Sequence, residues 1–430
     1  MLLSIEKLVY GGDGLARLPA DEHGRGKAVF VPFVLAGEQV DATILEQKPG
    51  FARARADTIV APSSHRVFPQ CRYFGECGGC HYQHAGYEHQ LEIKAAILKE
   101  NLRRIAKLDL ATDLIVHPSA AWSYRNRTRV KVQTKPEFAL GYYKHNSHEL
   151  LPITECPISS PLINQGIAAL WQVGGMLEGE IQEIEFFADA EDARLLLDVD
   201  CAPGISSQAA TRIAKLLQQA LPGTAGVTLR SAGRRNRASP EQPAVANLGA
   251  TELTYRTGHS EYRVSAGSFF QVNRHMTDEL IGIVTKGVSG DLALDLYAGV
   301  GLFSTVLSRS FPQLIAVESS PTAHADLLYN SPSHVKAVRS TTEEYLKTVV
   351  GKLRPDLVVA DPPRGGLGEA VVRSLIGLGA GRIIYVSCDP ATLSRDLVGL
   401  LQAGYRIQQA HMVDLFPQTY HLESVFHLVR

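Results

Sequence analysis

The 430 residues carry 43 Lys plus Arg against 44 Asp plus Glu, a formal net charge of −1, with 45% hydrophobic and 20% charged residues. That balance belongs to a folded chain and excludes a disordered or uniformly basic one, so any nucleic-acid contact has to concentrate positive charge locally. No apolar run approaches the ~18–20 residues that span a bilayer, and the start, MLLSIEKLVYGGDG, lacks a basic flank ahead of a long apolar stretch. No membrane contact and a cytoplasmic location are therefore expected, and the length calls for two or three domains.

In residues 1–60, Ile5–Tyr10, Lys27–Phe33, Glu38–Gln47 and Phe51–Val60 read as short strands around glycine turns, predicting a small OB-like β-barrel. Residues 61–262 are mixed α+β. Tyr87–Leu108 has helical periodicity with its charges assigned to the outer faces. Strand-like runs follow at Arg125–Gln133, Ile181–Phe187 and Ala193–Val199, then a helix at Ser207–Ala220 and a loop with Arg234, Arg235 and Arg237. Residues 263–430 form the third unit, regular from about residue 276. Strands at Ala293–Tyr297, Leu314–Val317, Val335–Val338, Leu357–Ala360 and Ile383–Ser387 alternate with helical segments. That order predicts an α/β, Rossmann-like parallel sheet covered on both faces. Tyr405–Val413 and Ser424–Val429 lack a crossover helix and are expected to pair antiparallel at one edge.

In such a sheet ligands bind beyond the carboxyl ends of the strands. Asp295-Leu-Tyr297-Ala-Gly299-Val-Gly301 ends the first strand and opens a helix, Glu318 ends the second, and Asp361-Pro-Pro-Arg364 ends the fourth. Glycines let the backbone approach a ligand, and an acid after the next strand suits ribose hydroxyls. No third glycine opens the helix, where Leu302 and Phe303 stand instead, so S-adenosylmethionine is favoured over a dinucleotide.

Cys388, in Ser387-Cys388-Asp389-Pro390, ends the fifth strand ahead of a helix. A helix N-terminus there is expected to favour the thiolate. A thiol beside a methyl donor has a specific use: uracil C5 is too weak a nucleophile until a thiolate adds to C6 and creates an enolate. A base must then remove the C5 proton. Glu423 is the candidate, with Asp414 as its rival on the same loop.

Cys71, Cys77, Cys80 and Cys156 supply four thiolate ligands, which suit either a [4Fe–4S] cluster or a structural zinc; the spacing does not choose. Cys201 falls outside the pattern and is expected to be buried. Arg125, Arg127, Arg129 and Lys131 alternate, so on a strand they share a face and form a phosphate-binding stripe. Phe269 and Phe270 serve either a flipped base or the core.

FFQVN at 269–273, DLYAGVG at 295–301, DPPRGG at 361–366, SCDP at 387–390 and FPQTYHLES at 416–424 resemble the RNA uracil-C5 methyltransferases, which make 5-methyluridine in ribosomal RNA and tRNA. The resemblance implies Cys388 as nucleophile, Glu423 as base, and Gln271, Tyr297, Glu318 and Asp361 around S-adenosylmethionine, where Gly299 and Gly301 supply the turn. It also implies a [4Fe–4S] cluster on the four cysteines, and residues 1–60 resemble a TRAM domain with Lys48, Arg53 and Arg55 as local cations. It favours 23S ribosomal RNA over tRNA as partner, acted on by a monomer. Leu302 departs from the polar residue some members carry and is assigned no contact. Two rivals remain: a cytosine-C5 methyltransferase, disfavoured by Arg364 after Pro362-Pro363, and a cluster-bearing assembly factor without turnover, disfavoured by Cys388 and Glu423.

Overall fold

The computed structural model describes residues 1–19, 26–177, 181–231 and 244–430; Arg234, Arg235 and Arg237 lie outside the described residues. Six N-terminal strands run in the order Leu2–Ser4, Gln39–Gln47, Phe51–Ala61, Ala28–Val31, Gly14–Arg17 and Lys7–Leu8. Alternation sends Val29, Val31, Val40, Ala42, Ala52 and Ala54 inward against Leu3, Ile5 and Val34. Buried Glu38 pairs with Arg66 at 2.6 Å and accepts from the N–H groups of Leu35 and Ser63. It thereby ties the barrel to the chain that leaves it.

The middle sheet has seven strands, in the order Leu150–Pro152, Ala139–Tyr143, Arg127–Gln133, Ile181–Ala188, Leu195–Cys201, Thr224–Ser231 and Ala244–Gly249. Leu195–Cys201 and Thr224–Ser231 run parallel, joined through the helix Ser207–Ala220. That helix and Pro161–Val173, each capped by the serine before it, bury the apolar face. Cys201 is fully buried there, as expected.

The C-terminal sheet has eight strands, in the order Val335–Arg339, Gln313–Glu318, Leu292–Leu296, Leu357–Ala360, Arg382–Ser387, Glu423–Val429, Arg406–Val413 and Leu114–His117. The first five are parallel, and apolar clusters cover both faces. The last two strands of the chain do pair antiparallel, but not at the rim. Glu423–Val429 inserts between its neighbours, and the edge goes to Leu114–His117 from the middle segment. Four residues are too short to display a period, so this strand was invisible in the sequence. The helix Tyr87–Asn101 ends earlier than its periodicity suggests, continuing as a π-turn over Leu102–Ala106. Its inner side joins the cluster that holds Leu397 and Leu400 of the helix Pro390–Gln402.

Candidate active site

Strand order reverses between Leu292–Leu296 and Leu357–Ala360, the place where a crevice opens in such sheets. Beyond Leu296 the backbone is left-handed at Tyr297 (φ 61°), Gly299 (φ 57°) and Gly301 (φ 93°). Glycine adopts this freely, whereas a tyrosine pays of order 1–3 kcal/mol, a kind of strain that collects at ligand sites. A Cβ on Gly299 would meet nothing within 4 Å, so this backbone borders open space. Glu318 accepts from the N–H groups of Gly299 (2.9 Å) and Ser320 (2.6 Å), locking the turn to the next strand.

Buried Asp295 accepts from Ser304 Oγ at 2.5 Å through one oxygen, while the other has no partner. Burial pushes Asp295 up to about 7; burial and then Asp295 push Asp361 to about 7 as well. Open backbone, an orphaned carboxylate oxygen and two crowded acids fit a ligand that brings hydroxyl groups and positive charge. Buried Gln271 lies where Asn126 Nδ2–H donates to its carbonyl oxygen (3.2 Å). The two phenylalanines before it divide: Phe270 packs on Tyr255 and Tyr262, while Phe269 is 63% exposed.

Cys388 and Glu423 come from neighbouring antiparallel strands. The register pairs Ser387 with Ser424, and Ser424 Oγ–H donates to Ser387 O at 3.1 Å. Burial, then Glu423 and Asp361, push the Cys388 thiol up to about 12, with Arg364 pulling the other way. The expected thiolate-favouring helix terminus is thus outweighed. Its first N–H groups, on Ala391 and Thr392, donate to the Asp389 carboxylate instead. Glu423 is raised well above the carboxylate range by burial and Asp361, against Arg364, and its Oε1 has no partner.

Three contributors escaped the sequence reading. Arg364, used only to set uracil against cytosine, is the cation shared by Cys388 and Glu423. Tyr10, from the barrel, donates to the carbonyl oxygen of Cys388 at 3.2 Å. Lys94, expected on an outer helix face, is fully buried and bonds Asp414 Oδ1 (2.6 Å) and Phe416 O (2.9 Å). With Tyr87 Oη–H donating to Asp414 Oδ2 (2.9 Å), both oxygens of that acid are engaged in holding the loop. The same loop accepts at Gln418 O from the N–H groups of His81 (2.8 Å) and Tyr82 (3.0 Å), just after Cys80.

Cys71, Cys77, Cys80 and Cys156 line one cavity of about 550 Å³. Burial raises the thiols of Cys71, Cys77 and Cys80, and their neighbours' charge adds to the effect. Asn164 pins Cys156 by bonds to its N–H (2.8 Å) and C=O (3.0 Å). Among the described residues no three His, Cys, Asp or Glu side chains sit close enough to hold a single metal ion. Thiolates on one zinc would stand about 3.8 Å apart.

The cation stripe forms only in part. Arg127, Arg129 and Lys131 share a face of their strand, but Arg125 precedes it; Arg125, Arg127 and Arg129 all line the cysteine cavity. The adjacent strand places Phe187, Glu185 and Glu183 opposite them. Buried Arg127 lies over the Phe187 ring (4.3 Å) and pairs with Glu185 (3.2 Å); Arg129 pairs with Glu185 and Glu183, and Lys131 with Glu183.

The tRNA (Uracil-5-)-methyltransferase family model matches residues 86–430, and the TRAM domain model matches residues 1–56. The chain is 32% identical over 440 residues to the 23S rRNA (uracil(1939)-C(5))-methyltransferase RlmD of Chromohalobacter salexigens, covering 100% of this chain and 89% of that protein. It is also 32% identical over 430 residues to an uncharacterized RNA methyltransferase of Aquifex aeolicus, covering 98% and 97%. The crystal structure of Pyrococcus abyssi tRNA (uracil-54, C5)-methyltransferase with S-adenosyl-L-homocysteine has the same fold, with a TM-score of 0.76 over 100% of both chains at 23% identity. No helix among the described residues is long and apolar enough to cross a membrane. The chain belongs to the tRNA (uracil-5-)-methyltransferase family: it is an RNA uracil-C5 methyltransferase with an N-terminal TRAM domain.

Proposed function

We propose that this enzyme methylates C5 of one uridine in 23S ribosomal RNA through a covalent adduct between Cys388 and C6. The observation that carries the mechanism is the convergence of Cys388, Glu423, Asp361 and Arg364 at adjacent strand ends. The choice of ribosomal RNA rests on a relative of that name aligned over the whole chain. A tRNA target is the second reading, and the enzyme works in the cytoplasm.

S-adenosylmethionine, when bound, supplies an electrophilic methyl group. Gly299 and Gly301 give it backbone to lie against, Glu318 and Tyr297 flank the turn, and Asp361 with Gln271 closes the site toward the uracil. Cys388, as its thiolate, adds sulfur to C6, so the C5–C6 π electrons move onto C5 and O4; C5 then takes the methyl as that group's bond to the sulfonium sulfur breaks, releasing S-adenosylhomocysteine. Glu423 then takes the C5 proton, the electrons return to C5–C6, and the C6–S bond breaks. Burial and Asp361 raise both groups, and Glu423 raises Cys388 further. Positive charge brought beside Asp361 favours their ionised forms, as Arg364 already does in part.

The four cysteines hold a [4Fe–4S] cluster in this reading, supported by their meeting at one cavity and by the four thiolates such a group takes. It stands outside the methyl transfer and stiffens the loop whose His81 and Tyr82 hold Gln418. Anaerobically purified protein is expected to hold about four irons per chain, with visible absorbance; stoichiometric zinc would reject it. Arg125 lies beside the cluster, and the half-exposed Arg129 and Lys131 remain for phosphates.

Two substitutions test the chemistry through different failures. Cys388→Ala should form no adduct with RNA from cells lacking the protein. Glu423→Gln should accumulate a methylated protein–RNA adduct stable to denaturing electrophoresis, because elimination stalls after transfer. An adduct in Cys388→Ala, or normal turnover in Glu423→Gln, would overturn the assignment.

A further inference from the structure

A second cavity, of about 530 Å³, lies where the barrel, the cysteine loop and the 414–422 loop meet. Gly11 borders it from the barrel, Gly79 and His81 from the cysteine loop, and His145 from the turn after Ala139–Tyr143. The close meeting depends on a bare barrel turn. Gly12 has φ 97°, and a Cβ there would stand 3.0 Å from His81 Cβ.

The walls have a consistent chemistry. Tyr420 lies 4.6 Å from the His81 ring and 4.1 Å from the His421 ring, and Phe416 lies 5.7 Å from His421, giving a surface of aromatic faces. Arg125 and Arg364 add two guanidinium groups, and no Asp or Glu is among the described residues that line the cavity. His81 is 8% exposed and its Nδ1 has no hydrogen-bond partner. Burial pushes His421 down to about 3, so it is a neutral ring with one donor and one acceptor nitrogen. Such walls suit a flat ring with polar edges, attached to a negative charge.

The cavity is also joined to the catalytic crevice. Arg364 Nη2 lies 3.2 Å from a His421 ring nitrogen and is the cation that acts on Cys388 and Glu423. Tyr10, which bonds Cys388 O, packs edge-on against Tyr420 at 5.4 Å. An occupant here is a neighbour of whatever Cys388 attacks.

We propose that this cavity is a second nucleotide site, which takes the base of a nucleotide flanking the target uridine, stacked on Tyr420 and His421 with its edge met by His81. The inference rests on the RNA uracil-C5 reading and adds to it a requirement for two extruded bases instead of one.

The test uses the full chain with two trinucleotides, each holding a central uridine and a 2-aminopurine on its 5′ or its 3′ side, compared with uridine 5′-monophosphate. One trinucleotide should lose 2-aminopurine emission on binding and bind about tenfold tighter than the mononucleotide, the size of one base–aromatic stack. His81→Ala should abolish both the quenching and the tenfold gain, leaving the mononucleotide affinity unchanged. His145→Ala, altering the wall beside His81, should reduce the gain without changing thermal unfolding, so the result does not depend on one variant folding. Absence of quenching at both positions, or a gain retained in both variants, overturns the second site. Methyl transfer to RNA from cells lacking the protein is followed in parallel. No 5-methyluridine from the unaltered chain sinks the catalytic reading, whereas product formed without any quenching sinks this one alone.

Discussion

On the polar face of the middle sheet, charges meet in pairs across adjacent strands: Arg127 with Glu185, Arg129 with Glu185 and Glu183, and Lys131 with Glu183. At the strand ends of the catalytic sheet, buried Asp295 and Glu423 crowd against half-buried Asp361, with Arg364 the cation acting on Glu423. The first arrangement sets three cations against two carboxylates and leaves about one net charge for a ligand. The second leaves titratable groups far from their ordinary state, a condition that collects where ligands and protons are handled. Paired charge is structure here, and unpaired charge is chemistry.

The largest effect should come from breaking the pair nearest the chemistry. Lys94 and Asp414 are both fully buried at 2.6 Å, so Lys94→Met strands a carboxylate away from water. Losing one partner of a buried pair costs about 3–5 kcal/mol. Urea unfolding should show that loss, and Lys94→Met with Asp414→Leu should recover most of it because no charge is left unpaired. Turnover should stay low in both, since Phe416 O and the loop before Glu423 lose their tether. A single variant as stable as the parent would show that the pair is not what holds this loop.

That tether marks where the sequence stops being readable. Cys388, Glu423 and Asp361 were legible because ordered motifs and a parallel-sheet pattern place them at strand ends. Lys94 follows Leu91 by three residues, on the inner side of the helix, but its partner stands 320 positions away. Periodicity assigns charges to water unless such a partner is visible. Alternation correctly gave Arg127, Arg129 and Lys131 one face, yet register alone decides that Glu185 and Glu183 stand opposite. Tyr10 ends a barrel run beside a glycine turn and drew no role, because its reach to Cys388 depends on how two domains pack.

A smaller effect should follow pH. Asp361 has a folded pKa raised from 3.8 to about 7 by burial and then Asp295. The native state therefore holds the proton more tightly than the unfolded chain. The stability this contributes is full below about pH 4 and is lost as pH rises through about 7. Asp361→Asn should unfold like the parent near pH 3.5 and gain on it steadily as pH rises, being more stable by about 3–4 kcal/mol at pH 8.5. Because Asp295 titrates with it, the parent's decline should be one broad step. Equal stability of parent and variant at both pH values would mean that the acid is ionised and compensated, and that this site obeys the pairing rule of the middle sheet.

The smallest effect reverses a sign. Glu183 neutralises both Lys131 and Arg129, which keep 37% and 44% of their side-chain surface in water. Removing its charge frees about one net cation on this face without adding a basic residue. Glu183→Gln should therefore strengthen RNA binding at low salt and steepen the log–log salt dependence by about one unit, since each phosphate neutralised adds roughly that much. Both strands keep their backbone register, so the folded state and methyl-donor affinity should be unchanged. Arg129→Ala in the parent should shift the slope by well under one unit, because that cation is already spent on two carboxylates. Binding isotherms across a salt series check both variants. An unchanged slope in Glu183→Gln would remove the middle sheet from the RNA path and leave the barrel cations and Arg125 to hold it. A weaker slope would mean that Glu183 orients Lys131 toward phosphate, so that the pairing on this face serves binding after all.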